Sequence, residues 1–342
     1  MTYQDSTQLN DFHKDTQSFF AGKSVLVTGG SGFIGSHLVE QLLVLKSKPA
    51  ILTRQKSPKF LSHLGSQVKV INGDLNDYAS TLAAVGTHEV VLNLAASVAG
   101  IEYNKNHPAT IFQENLQGFF NIMKASKEAK VSRFLVTSSA CVYPRHCSIP
   151  TPETEGFMDE PEPTNSGYGW SKRMEEYLGQ KYAEEYGLSL SIGRPYNAYG
   201  PRDNFDPKSS HVIPALILKA IEARDGEFSV WGDGTHSRSF LYVEDFARGL
   251  IEVAARYPKA DPLNIGADEE ISIGELAHMI AHLVGQKTGR KIKPVFNPSG
   301  ITGQPRRKCD VTKINSTLGY ETNVSFEIGL NKTIDWYLNE YK

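Results

Sequence analysis

The chain has 342 residues, and 36 basic against 38 acidic side chains leave a formal net charge of −2, with 40% hydrophobic and 22% charged residues. This balance excludes global disorder and supplies no broad positive field for nucleic acid or an anionic membrane, although a local cluster such as Arg306, Arg307 and Lys308 can hold phosphates. The length suits about two domains, or one large α/β domain carrying a smaller one.

Residues 1–22 are expected to be a polar, loosely ordered extension; the first fifteen have neither a basic flank nor an apolar block and do not read as a signal peptide. From Lys23 onward, short β-branched runs alternate with helical stretches. The spacing predicts strands over 24–28, 50–53, 68–71, 90–94, 133–138 and 188–194. Their nearly continuous apolarity suits strands covered on both faces, so the expected fold is α/β, a doubly wound parallel sheet over 23–200.

After Gly200, Pro201, Pro207 and Pro214 punctuate the chain before a helix expected at 215–223. Here a smaller mixed α/β lobe begins, expected to comprise 201–235 and 266–342, with 236–265 returning to the first domain. Ser272 and Glu275 form a capping-box pattern ahead of a helix expected to stop at Gly285. Ile334, Tyr337, Leu338 and Tyr341 recur at helical spacing, predicting a packed terminal helix. The longest apolar stretches are interrupted by Asn93, Pro214 and Lys219, well short of the ~18 residues a membrane span needs. Cys141, Cys147 and Cys309 lack paired CxxC spacing, which argues against a disulfide framework or zinc ribbon and makes the cytoplasm the expected compartment. No metal site is expected.

The run Thr28-Gly29-Gly30-Ser31-Gly32-Phe33-Ile34-Gly35 joins the first strand to a helix. Glycines there allow a tight turn and close approach of a pyrophosphate, and the helix N-terminus at Phe33 and Ile34 offers N–H groups to the anion. Where an acidic residue would grip the ribose 2′-hydroxyl of NAD, the second strand ends in Thr53-Arg54-Gln55-Lys56. Arg54 suits a 2′-phosphate, so NADP(H) is favoured and NAD(H) stays open. Asp74, beside Leu75, either accepts an adenine amino proton or caps the following helix. Leu94, Ala95 and Ala96 end the fourth strand with side chains small enough for a cofactor to lie close, or serve plain packing.

Ser139 ends a strand at its carboxyl edge, and Tyr168 and Lys172 are spaced to share one helix face. A phenol beside an ammonium has its phenolate stabilised and can exchange a proton with a hydroxyl or carbonyl during hydride transfer.

With the glycine turn, this order of residues resembles the extended short-chain dehydrogenase/reductase family, specifically its NAD(P)-dependent nucleotide-sugar epimerases and dehydratases, from about Lys23 to the C-terminus. Supporting strings are Asn115 to Gly118, Gly193 to Pro195, Asn197 to Pro201 and Ser237 to Asp245. The resemblance implies that Ser139 and Tyr168 contact the reacting sugar and that Lys172 binds the nicotinamide ribose and lowers the tyrosine pKa. It also implies that the C-terminal lobe holds a nucleotide diphosphate, and that two copies pair through helices near Asn115 and Tyr177.

Within the family, Ser138 to Pro144, Asp203 to Asp206 and His211 to Leu216 resemble the GDP-L-fucose synthases, as do Val98 to Ile101 and Gly303 to Arg307. That likeness implies NADPH reduction of a GDP-linked 4-keto-6-deoxy hexose, or a related GDP-sugar, after Cys141 and His211 invert C3 and C5 as base and acid. A C4 carbonyl acidifies both neighbouring carbons, so one base and one opposed acid suffice if both reach the ring. The GDP-mannose 3,5-epimerases are near relatives that share Ser-Ala-Cys around Ala140, but generally carry Lys at the position of His211 and an acidic residue after the second strand. Arg194-Pro-Tyr-Asn197 departs from the synthase string, leaving the sugar open, for example to a GDP-heptose. A redox-neutral epimerase with bound cofactor is one alternative reading. A non-catalytic dinucleotide-binding regulatory protein is another, which intact Ser139, Tyr168 and Lys172 oppose. Arg238 and Arg306 are expected at the pyrophosphate, since guanidinium matches phosphate geometry. Asn197, Val212 and Trp231 are expected along the sugar cleft, with core packing the stronger expectation for the tryptophan.

Overall fold

The structure, a computed structural model, describes residues 3–98, 101–298 and 304–341. Ala99, Gly100 and Gly303, which carry part of the resemblance, lie outside these.

Strands β1 (Ser24–Thr28), β2 (Lys48–Thr53), β3 (Lys69–Asn72), β4 (Val90–Asn93), β5 (Arg133–Thr137) and β6 (Leu190–Pro195) match the predicted runs to within two residues. They pair in parallel, and the strand Pro262–Ile265 joins beside β6, so seven strands run in the order Pro262–Ile265, β6, β5, β4, β1, β2, β3. The order reverses between β1 and β4, the crevice where open α/β sheets bind ligands.

The α-helices among the described residues, in chain order, are α1 (Lys14–Phe20), α2 (Phe33–Val44), α3 (Tyr78–Val85), α4 (Ile101–Asn106), α5 (Pro108–Glu128), α6 (Ser166–Tyr186), α7 (Val212–Glu222), α8 (Val243–Arg256), α9 (Ile273–Thr288), α10 (Thr312–Leu318) and α11 (Phe326–Trp336). Alternate residues of β1 feed opposite cores, as strand geometry requires. Val25 and Val27 pack with Leu38 and Leu42 of α2 and Leu250 of α8, whereas Leu26 packs with Phe119 and Ile122 of α5. A sheet buried on both faces explains the unbroken apolar strands.

Residues 3–20 are not a loose extension. Phe12 and Phe20 are buried in the core beside α2 and α8. Asp5 accepts from Gln41 at 3.0 Å and lies 3.1 Å from His37, and its own N–H donates to Glu40 at 2.8 Å. The polar letters conceal two aromatic anchors and a carboxylate that satisfies buried polar groups on α2. Asp5, His37 and Glu40 converge, but Arg202 occupies Glu40 at 2.7 Å and the Pro201 carbonyl contacts His37 at 3.1 Å, so the cluster clasps the segment to the sheet domain.

In the lobe, α7 begins three residues earlier than expected, because Pro214 sits in its first turn, where a missing N–H costs nothing. The Ser272 capping box forms, but α9 runs past Gly285 to Thr288 and ends at Gly289, whose left-handed backbone (φ +69°) closes it.

Inside the sheet domain, Arg194 of β6 grips both oxygens of Glu176 at 2.7 and 2.6 Å, and Ser138 donates to the same carboxylate. All three side chains are buried. Glu176→Gln leaves a buried guanidinium without its counter-charge and is expected to cost about 3–5 kcal/mol. The drop will be read as a lower urea midpoint; an unchanged midpoint would show that the pair contributes nothing net.

Candidate active site

Gly29 has φ +68°, and a Cβ there would come within 2.9 Å of the Leu94 and Ala95 backbone. A Cβ on Gly35 would strike the Gly29 carbonyl at 2.2 Å. Both positions therefore require glycine, and the turn lies flat against the end of β4. Gly32 is the N-cap of α2, so the amides of Phe33, Ile34 and Gly35 open the helix toward the crevice. Thr28 anchors the adjoining segment: its Oγ1 accepts from the Ala95 N–H at 3.2 Å and donates to Asn93 at 2.6 Å. Ala95 and Ala96 thus line the floor with little bulk.

At the neighbouring strand ends, Arg54 is 78% exposed and its guanidinium reaches Asp74 at 3.9 Å. Asp74 does not cap α3. It accepts from the Asn76 N–H at 3.0 Å, and Asp77 is the cap, accepting from Ala79 at 3.1 Å. Leu75 packs under Gly118 of α5 and gives its carbonyl to Asn121 at 2.7 Å, fixing the loop beside Asp74. A helix N-terminus, a glycine cradle that a Cβ would fill, and an exposed guanidinium at the second strand end together fit a dinucleotide carrying a 2′-phosphate.

Beyond β5, Ser139 caps a single turn, accepting from the Cys141 N–H at 3.1 Å, and its hydroxyl is near enough to Tyr168 to favour the phenolate. Tyr168 and Lys172 rise from the first turns of α6, with Lys172 Nζ 5.7 Å from the tyrosine ring centre. Lys172 donates to the Thr137 carbonyl at 3.1 Å and meets Glu175 at 2.9 Å. Burial dominates the phenol and pushes it up to about 12 against the pull of Lys172. Lys172 does pull the phenol down, as the resemblance implies, but desolvation outweighs that pull and leaves the net value raised.

Cys141 shows the opposite outcome. Burial alone would raise its thiol, but the Arg307 guanidinium, with hydrogen bonds from Ser139, Arg307 and Asn165, holds it below the ordinary value. Asn165 Nδ2 lies 3.2 Å from the sulfur and Arg307 lies 3.7 Å from it. Neither residue was singled out from the sequence. Arg307 was legible only as one of three consecutive basic residues, and Asn165 had no signal beyond preceding the α6 motif.

His211 caps α7 from the lobe side; its Nδ1 is 3.8 Å from Asp203, and its side chain is 58% exposed. The nearby Asp203 carboxylate raises its pKa against desolvation, and the charge of Cys141 raises it further. Val212 follows in the first turn of α7 and packs at the edge of the lobe core.

The basic residues divide differently from the sequence expectation. Arg306 is taken up by Glu270 in a bidentate pair at 2.7 and 2.7 Å, and that hydrogen bond helps hold Glu270 down at about 2. Successive residues of an extended segment face opposite ways, so Arg307 turns in toward Cys141 while Arg306 turns out. Arg238 pairs in register with Arg307 and donates to the Ser237 carbonyl at 2.7 Å; burial pushes its guanidinium down to about 10. Asn197 donates to the Ser239 carbonyl at 2.9 Å, tying the strand-six exit to the lobe. Trp231 is 63% exposed rather than in the core, because it ends the edge strand Glu227–Trp231, with Lys219 5.0 Å above its ring.

Ser139, Cys141, Tyr168 and Lys172 thus gather at the carboxyl edge of β5, and the charges of Cys141 and His211 are within electrostatic reach of each other. Chemically, the cluster holds a phenol that stays protonated, a thiol drawn toward its thiolate and an imidazole drawn toward its imidazolium.

The family profile described as NAD dependent epimerase/dehydratase family matches residues 25–266. A GDP-L-fucose synthase of Sinorhizobium fredii is 34% identical over 93% of this chain and 96% of its own length. Among solved structures, UDP-glucose 4-epimerase with UDP-glucose from Thermotoga maritima superposes with TM-score 0.82 at 27% identity, covering 93% of this chain and all of that one. A GDP-L-fucose synthetase from Naegleria fowleri bound to NADP does so with TM-score 0.77 at 26% identity, over 93% of each chain.

Proposed function

Since the chain belongs to the NAD dependent epimerase/dehydratase family, NAD(P)-dependent enzymes of the extended short-chain dehydrogenase/reductase type, we propose that this nucleotide-sugar epimerase/reductase inverts C3 and C5 of a GDP-linked 4-keto-6-deoxy hexose, or a related GDP-sugar, and then reduces C4 with NADPH. The observation that carries this reading is the thiol of Cys141, held by Arg307 and Asn165 in the same cluster as the phenol of Tyr168. A plain dehydrogenase site has no use for a second group drawn toward its basic form beside its proton donor.

In this reading Cys141 withdraws the proton next to the ketone, and His211 returns one from the opposite face. Their shifts converge: a thiol held below its usual value and an imidazole held above its own both favour the charged pair. Ser139 donates to the C4 oxygen, and Tyr168 delivers the proton that turns it into a hydroxyl. The bound nicotinamide supplies the hydride. Gly29, Gly32, Gly35 and the first turn of α2 hold the pyrophosphate of that cofactor, with Asp74, Leu75 and Ala95 around its adenosine and Lys172 at its ribose. Arg238, Asn197, Val212 and Trp231 serve the nucleotide-sugar, and 201–235 with 266–342 forms the lobe that closes on it. Arg306, committed to Glu270, is available to phosphate only if that pair opens.

Arg54 is the NADP determinant. Arg54→Ala is expected to lose about 1.5–3 kcal/mol of charge-assisted hydrogen bonding to the 2′-phosphate, a roughly ten- to hundredfold rise in Kd for NADPH with that for NADH unmoved. Titration of nicotinamide fluorescence measures both, and equal weakening of the two would remove Arg54 from this role.

The cytoplasm, where free thiols persist, suits Cys141, and no described helix is long and apolar enough to cross a membrane. A homodimer through α5 and α6 is supported by Phe120 and Tyr177, both exposed on that helix pair, and by a cavity of about 540 Å³ lined by Phe112, Trp170 and Met174.

The reaction is tested by incubating the protein with NADPH and the 4-keto sugar in deuterium oxide. Deuterium at C3 and C5, with protium delivered to C4, is the expected product; reduction without exchange would reduce the enzyme to a simple ketoreductase.

A further inference from the structure

The proposed reaction gives no task to residues 3–7, which lie ahead of the stretch 25–266 matched by the family profile. They are nevertheless fastened to one short turn beside the site. Gly200-Pro201-Arg202-Asp203 is a type II turn: the Asp203 N–H donates to the Gly200 carbonyl at 3.3 Å, and Arg202, its third residue, has φ +72°. Glycine or asparagine is usual at that position, because a longer side chain in left-handed backbone is strained and persists only where its surroundings hold it. The unstrained alternative is a type I turn, in which the third residue returns to negative φ and the peptide joining Pro201 to Arg202 turns over. Two grips oppose that flip. His37 lies 3.1 Å from both the Asp5 carboxylate and the Pro201 carbonyl; each is an acceptor, so the ring donates through both nitrogens and pins the carbonyl that would have to turn. Arg202 donates through Nη2 to the Tyr3 carbonyl at 2.9 Å and to Glu40 at 2.7 Å. Residues 3–7 are themselves moored, since Asp5 accepts from Gln41 at 3.0 Å and Ser6 donates to Glu244 from its N–H at 3.1 Å and its hydroxyl at 2.6 Å.

The residue that this turn aims is Asp203. It is 4% exposed, and its Oδ1 lies 3.8 Å from Nδ1 of His211. Oδ1 also accepts from the Asn204 N–H at 2.7 Å, whereas Oδ2 is buried without a hydrogen-bond partner. One local bond and the backbone of the turn therefore set the direction of the carboxylate. With the carboxylate behind Nδ1, Nε2 is the ring nitrogen left for the sugar. We propose that residues 3–7 are a strap that locks the turn 200–203 in its type II form through His37 and Arg202, and that Arg202 is thereby a positioning residue that keeps Asp203 behind His211 for the proton return in epimerisation. This rests on the reading of His211 as the acid of that step, and it deepens that reading by naming what orients the acid. The charges that bear on His211 are Asp203 from the turn and Cys141 from the segment after β5. A flipped turn carries Asp203 away and removes the partner that favours the protonated imidazole.

The test compares Arg202→Ala with Arg202→Gly in the full chain. Both delete the guanidinium, but only glycine occupies left-handed backbone without strain. His211 is titrated through the NMR signals of its ring protons, assigned against His211→Asn. In Arg202→Ala its midpoint is expected to fall by about half a pH unit or more, and solvent exchange at C3 and C5 to fall by about ten- to hundredfold. Reduction of a ketone supplied already epimerised should stay within a few-fold of the wild-type rate. Arg202→Gly is expected to keep a near-wild-type midpoint and to recover most of the exchange. An arginine that served stability alone would leave the His211 midpoint unmoved in both proteins. If Arg202→Ala fails to fold, Asp5→Asn, which keeps the shape of the strap and removes the charge opposite His37, decides the matter. It is expected to lower midpoint and exchange in the same direction, and to lose that effect when combined with Arg202→Gly. A wild-type midpoint in Arg202→Ala, or in Asp5→Asn where that protein has to serve, overturns the proposal, as does an Arg202→Gly protein no better than Arg202→Ala. Exchange that survives at the wild-type rate in His211→Asn would instead overturn the underlying reading, whatever the titrations give.

Discussion

Tyr168→Phe is expected to lose NADPH-dependent reduction by about 10²–10⁴-fold, the usual contribution of a positioned general acid, while solvent exchange at C3 and C5 persists. The phenol stands on α6 and Cys141 on the turn after β5, so removing the hydroxyl leaves the thiol with its Arg307 and Asn165 contacts. Because burial raises the phenol to about 12, Tyr168 stays protonated through neutral and mildly alkaline pH. As the proton donor it is lost only as the pH climbs toward that value, so reduction in the wild-type protein should fall at the high-pH end. Single-turnover absorbance of the nicotinamide, run beside a proton spectrum of the recovered sugar, separates the two steps. Parallel loss of exchange and reduction would mean that Tyr168 also serves the enolisation.

Cys141→Ser has the complementary expectation. Exchange at C3 and C5 should drop by about 10²–10⁴-fold, whereas a ketone supplied already epimerised should still be reduced within a few-fold of the wild-type rate. Arg307 and Asn165 can favour a thiolate, but an alkoxide is beyond their reach in any accessible pH range. In the wild-type enzyme, the pH profile of exchange should be a bell whose limbs lie closer together than free cysteine and histidine would give, because the thiol is lowered and the imidazole raised. The serine variant should lose the limb that the thiol sets. Exchange that survives at the wild-type rate would assign the base to another residue.

Much of this was legible from residue order. The glycine turn, the parallel strands and the Ser139, Tyr168, Lys172 series are local patterns whose spacing alone fixes which side of a sheet or helix they occupy. What escaped was set by distant partners. Arg306 and Arg307 are adjacent, and the choice of which one reaches Cys141 depends on the register of a two-residue strand against Ser237–Arg238. Residues 3–20 look polar, yet Asp5 and two phenylalanines have their partners on α2 and α8, distant in the chain. Trp231 has a core residue's chemistry but an edge strand's position. Lys172 lowers the tyrosine pKa as expected, but burial outweighs it, and no sequence pattern carries the balance between desolvation and charge.

The most direct test is to follow nicotinamide absorbance after mixing the purified protein with NADPH and GDP-4-keto-6-deoxymannose, with NADH in a parallel trace. Stoichiometric oxidation of the cofactor with NADPH preferred is the predicted result. No oxidation, with a nicotinamide cofactor already held by the purified protein and the sugar nevertheless epimerised, would contradict a net reductase and leave a redox-neutral epimerase in its stead.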